Sequence, residues 1–419
     1  MKNFFKQYYN AFLHEFKLVK GDVGILIFLI LLPLAYPIVY SLIYNPELVR
    51  KVQLVVVDND RTPLSRELVR RMDATQGTWV IGYAANLQEA RRAVNNHDAY
   101  GILEIPEGFA RNAGEEHQAV AVLYCEMSLM LRYKALLVSA TNVMEDLGGT
   151  ITTERIDRIA PLAETISVGD LMPVENIQMG NIEGGFDSFI MPGILILILQ
   201  QAMLLAIGMS GGAVREDPRK ASFNPLGSKY PSVLATMFGQ STVFLILMLV
   251  PAIYIIHYVP LMFKFPMAGN ELEEFLFILP MMFATIGLGF VLQGVVRERE
   301  SIFVIWVVTS VIFLFLSGLT WPRYAFPTIW RLVSDCVPAT WGVEGFIRMN
   351  TNGATLAQVH DDYINLWIMA GAYLVLGYLV QRFVQRPAVI RTARNTQSLL
   401  TAPVADQSAT LRDEAAQDL

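Results

Sequence analysis

Long apolar runs separated by short charged connections dominate the chain after residue 186, and one more such run lies before residue 45. Six stretches contain no Asp, Glu, Lys, Arg or His: Gly24–Tyr44, Phe189–Met209, Ser232–Ile256, Phe275–Val296, Ile302–Thr320 and Tyr363–Val380. About 20 apolar residues cross a bilayer as a helix, so each stretch predicts a span. Pro33, Pro37, Pro251 and Pro280 lie inside them and predict kinks that neighbouring helices accommodate. The first run is too long for a secretory signal and reads as an uncleaved anchor. Ahead of it, Phe4, Phe5, Tyr8, Tyr9, Phe12, Leu13 and Phe16 recur at helical spacing, with Lys6, Asn10 and Lys17 on other faces. Residues 1–23 therefore predict an amphipathic helix, lying in the headgroup layer or packed on the spans.

Residues 45–186 carry a different pattern. Val52–Val57 is a β-branched run ending at Asp58-Asn-Asp60, and Thr62-Pro-Leu-Ser predicts a helix start with proline in its first turn. Strands are expected at Trp79–Tyr83, Tyr100–Ile105 and Ala119–Cys125, and helices over Asn86–Asn95 and Ser128–Ile159. Strands alternating with helices predict a small α/β domain. Pro161–Gly185, rich in glycine, proline and polar residues, predicts a linker.

Charge then orients the chain. Lys2, Lys6, Lys17 and Lys20 precede the first span; Arg215, Arg219, Lys220 and Lys229 follow the second; Arg297 and Arg299 follow the fourth; and Arg382, Arg386, Arg391 and Arg394 follow the last. The connection before the fourth span has Lys264 alone beside Glu271, Glu273 and Glu274. Cations gather on the cytoplasmic side, so both termini are expected there and residues 45–186 outside the cytoplasm.

Composition narrows the classes. Of 419 residues, 53% are apolar and 17% charged, below the quarter usual for soluble domains. A net charge of -6 leaves no basic face for nucleic acid. The two cysteines, Cys125 and Cys336, form no metal-ligand spacing. There is no phosphate-binding Gly-x-x-x-x-Gly-Lys-Ser/Thr, and His14-Glu15 lacks the second histidine of a zinc helix. Asp58, Asp60 and Asp73 sit where acids cap the next helix, as does His360-Asp361-Asp362 before the sixth span. No catalytic residue, metal ligand or cofactor is expected. The spans offer only neutral polar groups, among them Gln200, Gln201, Gln240, Ser241, Thr242 and Gln293. Proton- or voltage-driven machines keep ionisable groups in the bilayer, so energy for any transport here must come from another subunit.

Three local stretches complete the picture. Gly211-Gly-Ala-Val-Arg-Glu-Asp-Pro-Arg-Lys220 with Pro225-Leu-Gly-Ser-Lys229 forms the second connection, Val57-Asp-Asn-Asp60 with Ser65 and Leu68 opens the insert, and Ser317-Gly-Leu-Thr-Trp-Pro322 precedes Val337-Pro-Ala-Thr-Trp341 and Gly353. Together with the order of parts, these resemble the permease subunit of an ABC exporter of the ABC type-2 class, over the chain up to about Arg391. Asp217-Pro218 departs from the Gly-Thr pair that often follows the glutamate of the family's coupling segment.

The resemblance implies a mainly α-helical membrane protein of six transmembrane helices with an inserted extracytoplasmic α/β domain. Residues 187–384 then hold spans two to six, with a coupling loop at 210–231 and a re-entrant segment at 321–360, and 385–419 form a cytoplasmic tail. It implies a half-transporter of the inner membrane, paired with a second copy or a related permease, driven by cytoplasmic ATPase subunits that bind the ATP, and exporting an amphiphile such as a drug or lipid. A periplasmic adaptor often accompanies large external domains of this kind. Arg215, Glu216, Asp217, Arg219 and Lys220 are the expected ATPase-coupling residues; Trp330, Pro338, Trp341 and Phe346 belong to the re-entrant stretch; Gln200, Gln201 and Phe313 are candidates to line the pathway. A membrane-anchored receptor or scaffold needs fewer spans than six. A secondary transporter is disfavoured by the uncharged spans and the lack of an inverted repeat.

Overall fold

A computed structural model describes residues 2–44, 48–115, 117–159, 180–181 and 184–401. The predicted linker Pro161–Gly185 lies largely outside the described residues. Along the chain, helix α1 (Lys2–Gly21) is followed by α2 (Val23–Tyr44). Then come β1 (Val52–Asp58), α3 (Pro63–Ala74), β2 (Thr78–Tyr83), α4 (Leu87–Asn95), β3 (Gly101–Ile105), α5 (Phe109–Gly114), β4 (Val122–Cys125) and α6 (Met130–Ile159). The remainder is helical: α7 (Phe186–Glu216), α8 (Val233–Phe263), α9 (Glu271–Leu292), α10 (Ser301–Leu316), α11 (Thr328–Asp335), α12 (Pro338–Asn350) and α13 (His360–Ser398). The chain divides into two compact units, Met1–Asn45 with Gln178–Leu419, and Pro46–Ile177.

The second unit is built on one four-stranded sheet in the order β2-β1-β3-β4, with β1 parallel to β2 and β3, and β4 antiparallel to β3. Both faces of β1 are covered, as expected of a parallel strand. Leu54 and Val56 pack with Leu68 and Met72 of α3 and Leu136 and Val143 of α6, while Val55 and Val57 pack with Ala90 of α4. The helix start expected at Thr62 is present, but Thr62 itself is the cap rather than Asp58, Asp60 or Asp73, and the helix that begins at His360 has no side-chain cap. Thr62 and Ser65 form a reciprocal capping box at the start of α3, and Asp58 accepts hydrogen bonds from the Asp60 and Arg61 amides and the Ser65 hydroxyl. Asp60 accepts the amides of Gly108 and Ala110, and Asp73 that of Val80. Gly108 adopts φ 85°, a left-handed conformation that a side chain would strain. The strand expected from Ala119 begins only at Val122, because just four residues of β4 pair with β3.

In the first unit, five helices are long and apolar enough to cross a membrane: α2, α7, α8, α9 and α13. The fifth predicted stretch forms α10, an apolar helix of 16 residues, because Gly318 at φ 84° ends it before Thr320. Its last carbonyls are met from the next hairpin, where the hydroxyls of Ser334 and Thr340 donate to Leu316 O at 2.8 and 3.3 Å. Helix α7 is the hub, buried along nearly its whole length from Met191 to Ala213.

The proline kinks take a specific form. Three π-helical turns occur among the described residues: Ile27–Leu31, Tyr254–Tyr258 and Gln381–Gln385. Each precedes a proline, Pro33, Pro260 or Pro387, whose ring would strike the carbonyl four residues back, at Leu29, Ile256 or Phe383. A widened turn removes that clash. Pro37, Pro251 and Pro280 instead lie within continuous α-helix.

Candidate functional site

Helix α1 is not a simple raft. Phe5 and Tyr9 are exposed, but Ala11, Glu15 and Val19 form a buried stripe at four-residue spacing. That stripe rests on α8 and the end of α7. Gly239 permits the approach, since a Cβ there would stand 2.8 Å from Tyr8 O and 2.9 Å from Phe12 N. Tyr8 donates to Thr242 Oγ1 at 3.0 Å, and Gln7 Oε1 accepts the Ser232 amide at 2.9 Å. At the end of α1, Asp22 caps α2 and pairs with Arg299 at 2.5 Å.

The expected coupling residues lie at this same end of the bundle. The Arg215 guanidinium donates to Gly294 O and Val296 O at 3.2 and 2.9 Å, fastening the end of α7 to the turn after α9. Gly211 and Gly212 make room for that turn; a Cβ on Gly212 would meet Glu298 O at 2.7 Å. Asp217 caps a single 3₁₀ turn, Pro218–Lys220, and its carboxylate receives both the amide and the guanidinium of Arg219. The Arg219 bonds hold the Asp217 carboxyl below its ordinary value. Asp217 is thus used locally, while Glu216, Arg219 and Lys220 stand exposed. Facing them, the last turns of α13 supply Ala393, Thr396 and Gln397 to an open groove of about 900 Å³ that also exposes Phe223 and Leu226.

The other predicted residues are distributed as follows. Trp330 on α11 is exposed, Pro338 and Phe346 on α12 are buried, and Trp341 is half-buried. Arg323 joins α11 to α12. It pairs with Asp335 and Glu344 and lies 4.1 Å above the Trp341 ring, whose Nε1 donates to Asp335 O at 3.0 Å. Arg348 of α12 pairs with Asp362 at the start of α13 at 3.1 Å. Sequence reasoning missed Arg323, whose partners lie 12 and 21 residues away and show no periodicity. On α7, Gln200 and Gln201 are buried, and none of their four amide atoms has a hydrogen-bond partner among the described residues. Phe313 of α10 packs half-buried against the same core. Cys125 and Cys336 are both free thiols. No group of three metal-ligating side chains occurs among the described residues.

Buried amides without partners among the described residues, helices joined at one end by glycine-mediated contacts, and an exposed two-signed turn accompany the long apolar helices. Comparison with curated proteins finds no match. A family model described as ABC-2 family transporter protein matches residues 23–379, which takes in every candidate span except the last turns of α13. This chain belongs to the ABC-2 family of transporter proteins, membrane components that work with an ABC ATPase.

Proposed function

We propose that this chain is the permease subunit of an ATP-driven exporter, with α10 as a sixth span, both termini in the cytoplasm of a cell with an inner membrane, and residues 45–186 on the far side. Two such subunits, identical or related, form the pathway. A separate ATPase binds the nucleotide, and an amphiphilic substrate leaves the cytoplasm or the inner leaflet. A periplasmic adaptor fits an external domain of this size.

The observation that carries this reading is the segment Arg215–Lys220. It closes the most buried helix of the bundle with an exposed turn of both charge signs, beside an open groove. The basic residues suffice to orient the chain, so the acids call for another role. In this reading Glu216 and Arg219 enter a cleft of the ATPase, and Arg215 passes the displacement to the turn after α9. Buried interfacial charge pairs hold register in such contacts, and truncating one costs about 2–5 kcal/mol.

The test is Glu216→Lys combined with Arg219→Glu in the reconstituted complex. Insertion is expected to be unchanged, while co-purification of the ATPase weakens and ATP hydrolysis no longer drives export. A variant that assembles and transports like the parent overturns the assignment. Cysteine labelling at Ser65 and Ser222 from the two sides of the membrane tests the topology; both are expected to differ in sidedness.

A further inference from the structure

A buried carboxylate without a cation lies at the end of the first unit that carries the candidate coupling turn; Glu274 of α9, buried alike, takes a hydrogen bond from Asn350. Glu15 is 1% exposed on α1 and lies between α7 and α8. Ser210 bonds one of its carboxyl oxygens, and Gln240 Nε2 donates to the other at 2.9 Å. Around it is an enclosed chamber of about 40 Å³, lined also by Gln293, Gln381, Gln385 and Arg386. The π-helical turn in α13 aims the last two glutamines inward: Gln381 Nε2 donates to Gln293 Oε1 and Gln385 Nε2 to Gly211 O at 2.9 Å. The side-chain amide oxygen of Gln385 is buried without a partner among the described residues. A cavity of this volume holds a water molecule or two, and water donates to such an oxygen.

The charged groups around Glu15 do not neutralise it. On its own helix, burial and then Lys17 lower the affinity of His14 for a proton, which leaves the imidazole neutral. From α13, the Arg386 guanidinium donates to Pro231 O at 2.9 Å and stacks 5.1 Å from the Phe223 ring. From α7, Arg215 is spent on Gly294 O and Val296 O, and α8 carries no charge from Val233 to Ile253. An unpaired buried carboxylate is costly, and such a group is normally kept protonated instead.

We propose that this chamber is a proton-binding site, in which a neutral Glu15 accepts hydrogen bonds from Ser210 and Gln240, turns its own O–H into the chamber, and so keeps α1 seated on α7 and α8. Loss of that proton to solvent leaves a bare carboxylate in the seat, and α1 disengages from the helices that carry the candidate coupling turn. The direction of titration agrees: burial pushes the Glu15 carboxyl up, and the bonds from Ser210 and Gln240 offset only part of the effect. Because the seated state binds the proton more tightly than the unseated one, seating is strongest at low pH. It declines as pH rises from the ordinary carboxyl value through the raised one.

The test uses the full chain in lipid nanodiscs. The infrared carbonyl band of protonated carboxyl groups at neutral pH should lose intensity in Glu15→Gln. In a background with Cys125 and Cys336 changed to serine, the buried Val19→Cys reports unseating by thiol labelling. Divided by the rate in the Glu15→Gln background, which cancels the titration of the thiol itself, labelling should rise by up to about tenfold per pH unit between the ordinary carboxyl value and the raised one, the slope of a one-proton linkage, and level off above it. A flat ratio, or a band untouched by Glu15→Gln, overturns the proposal. The infrared measurement decides by itself if Val19→Cys does not insert.

Discussion

The two ends of the helical unit are held together by different chemistry. At the end that carries Asp335, Glu344 and Asp362, the helices are joined by full charges: Arg323 bridges two carboxylates over Trp341, and Arg348 meets Asp362. At the end that carries the 3₁₀ turn, one ion pair, Asp22 with Arg299, stands beside a cluster of hydroxyls and amides around an acid without a counter-ion. Breaking such an ion pair carries a large cost when one partner is lost. A cluster of neutral hydrogen bonds can exchange partners and water, and strands a charge only when its acid loses a proton. One end is built to stay closed, and the other is built to shift.

The largest expected effect comes from breaking the charged joint. Arg323→Met leaves Asp335 and Glu344 facing each other without a cation and removes the stack on Trp341. A loss of about 3 kcal/mol is expected, the low end for breaking a buried pair because both carboxylates keep solvent contact. Thermal unfolding measures it, and high salt should narrow the gap between parent and variant. At the opposite end, Gly239→Ala places a methyl group against backbone atoms of α1, which cannot rotate away as a side chain can. A cost of about 1–3 kcal/mol is expected from the overpacking, read as faster proteolysis within α1 rather than as global unfolding.

Between the two ends, Gln200→Leu and Gln201→Leu separate stability from transport. Each removes buried amide atoms that have no protein partner, so stability should rise by about 1 kcal/mol, while export falls if the amides meet substrate or its water. Unchanged export with raised stability removes these residues from the pathway. The smallest effect belongs to the α/β unit. Hydrogen bonds from Arg70 and then Arg71 hold the Glu67 carboxyl down at about 2. Any stabilisation from that cluster is therefore present above the ordinary carboxyl value and disappears as pH falls through about 2. Since the group is exposed, Glu67→Gln should match the parent melting temperature at neutral pH in moderate salt.

Much of the α/β unit was legible because its signals are local. Thr62 and Ser65 lie three residues apart, and the β-branched run at Val52 marks a covered strand, whereas Asp60 meets amides 48 and 50 residues away that no local pattern marks. The helical stretches were equally plain from length and lack of charge. The position of the kinks was not. Pro260 and Pro387 fall outside the apolar runs as read from the sequence, yet each governs a π turn, while Pro251 and Pro280 are absorbed without one.

The buried stripe of α1 shows where sequence reading stops. Aromatic residues on one side and lysines on the other suggested a helix lying in the headgroup layer or packed on the spans, and nothing at Glu15 distinguishes it from a solvated acid at the same spacing. What the sequence by itself determined was the set of apolar helices, the strand–helix alternation of the insert, and the two-signed segment Arg215–Lys220, since propensity, periodicity and charge act over a few residues. Only the tertiary structure decided that Arg323 would find Asp335 and Glu344, that Gly239 would admit α1, and that Glu15 would be enclosed by Ser210 and Gln240 more than 190 residues away. Those outcomes depend on which helix faces meet. In a bundle whose spans are apolar nearly all round, periodicity does not mark the facing side, and packing alone selects it.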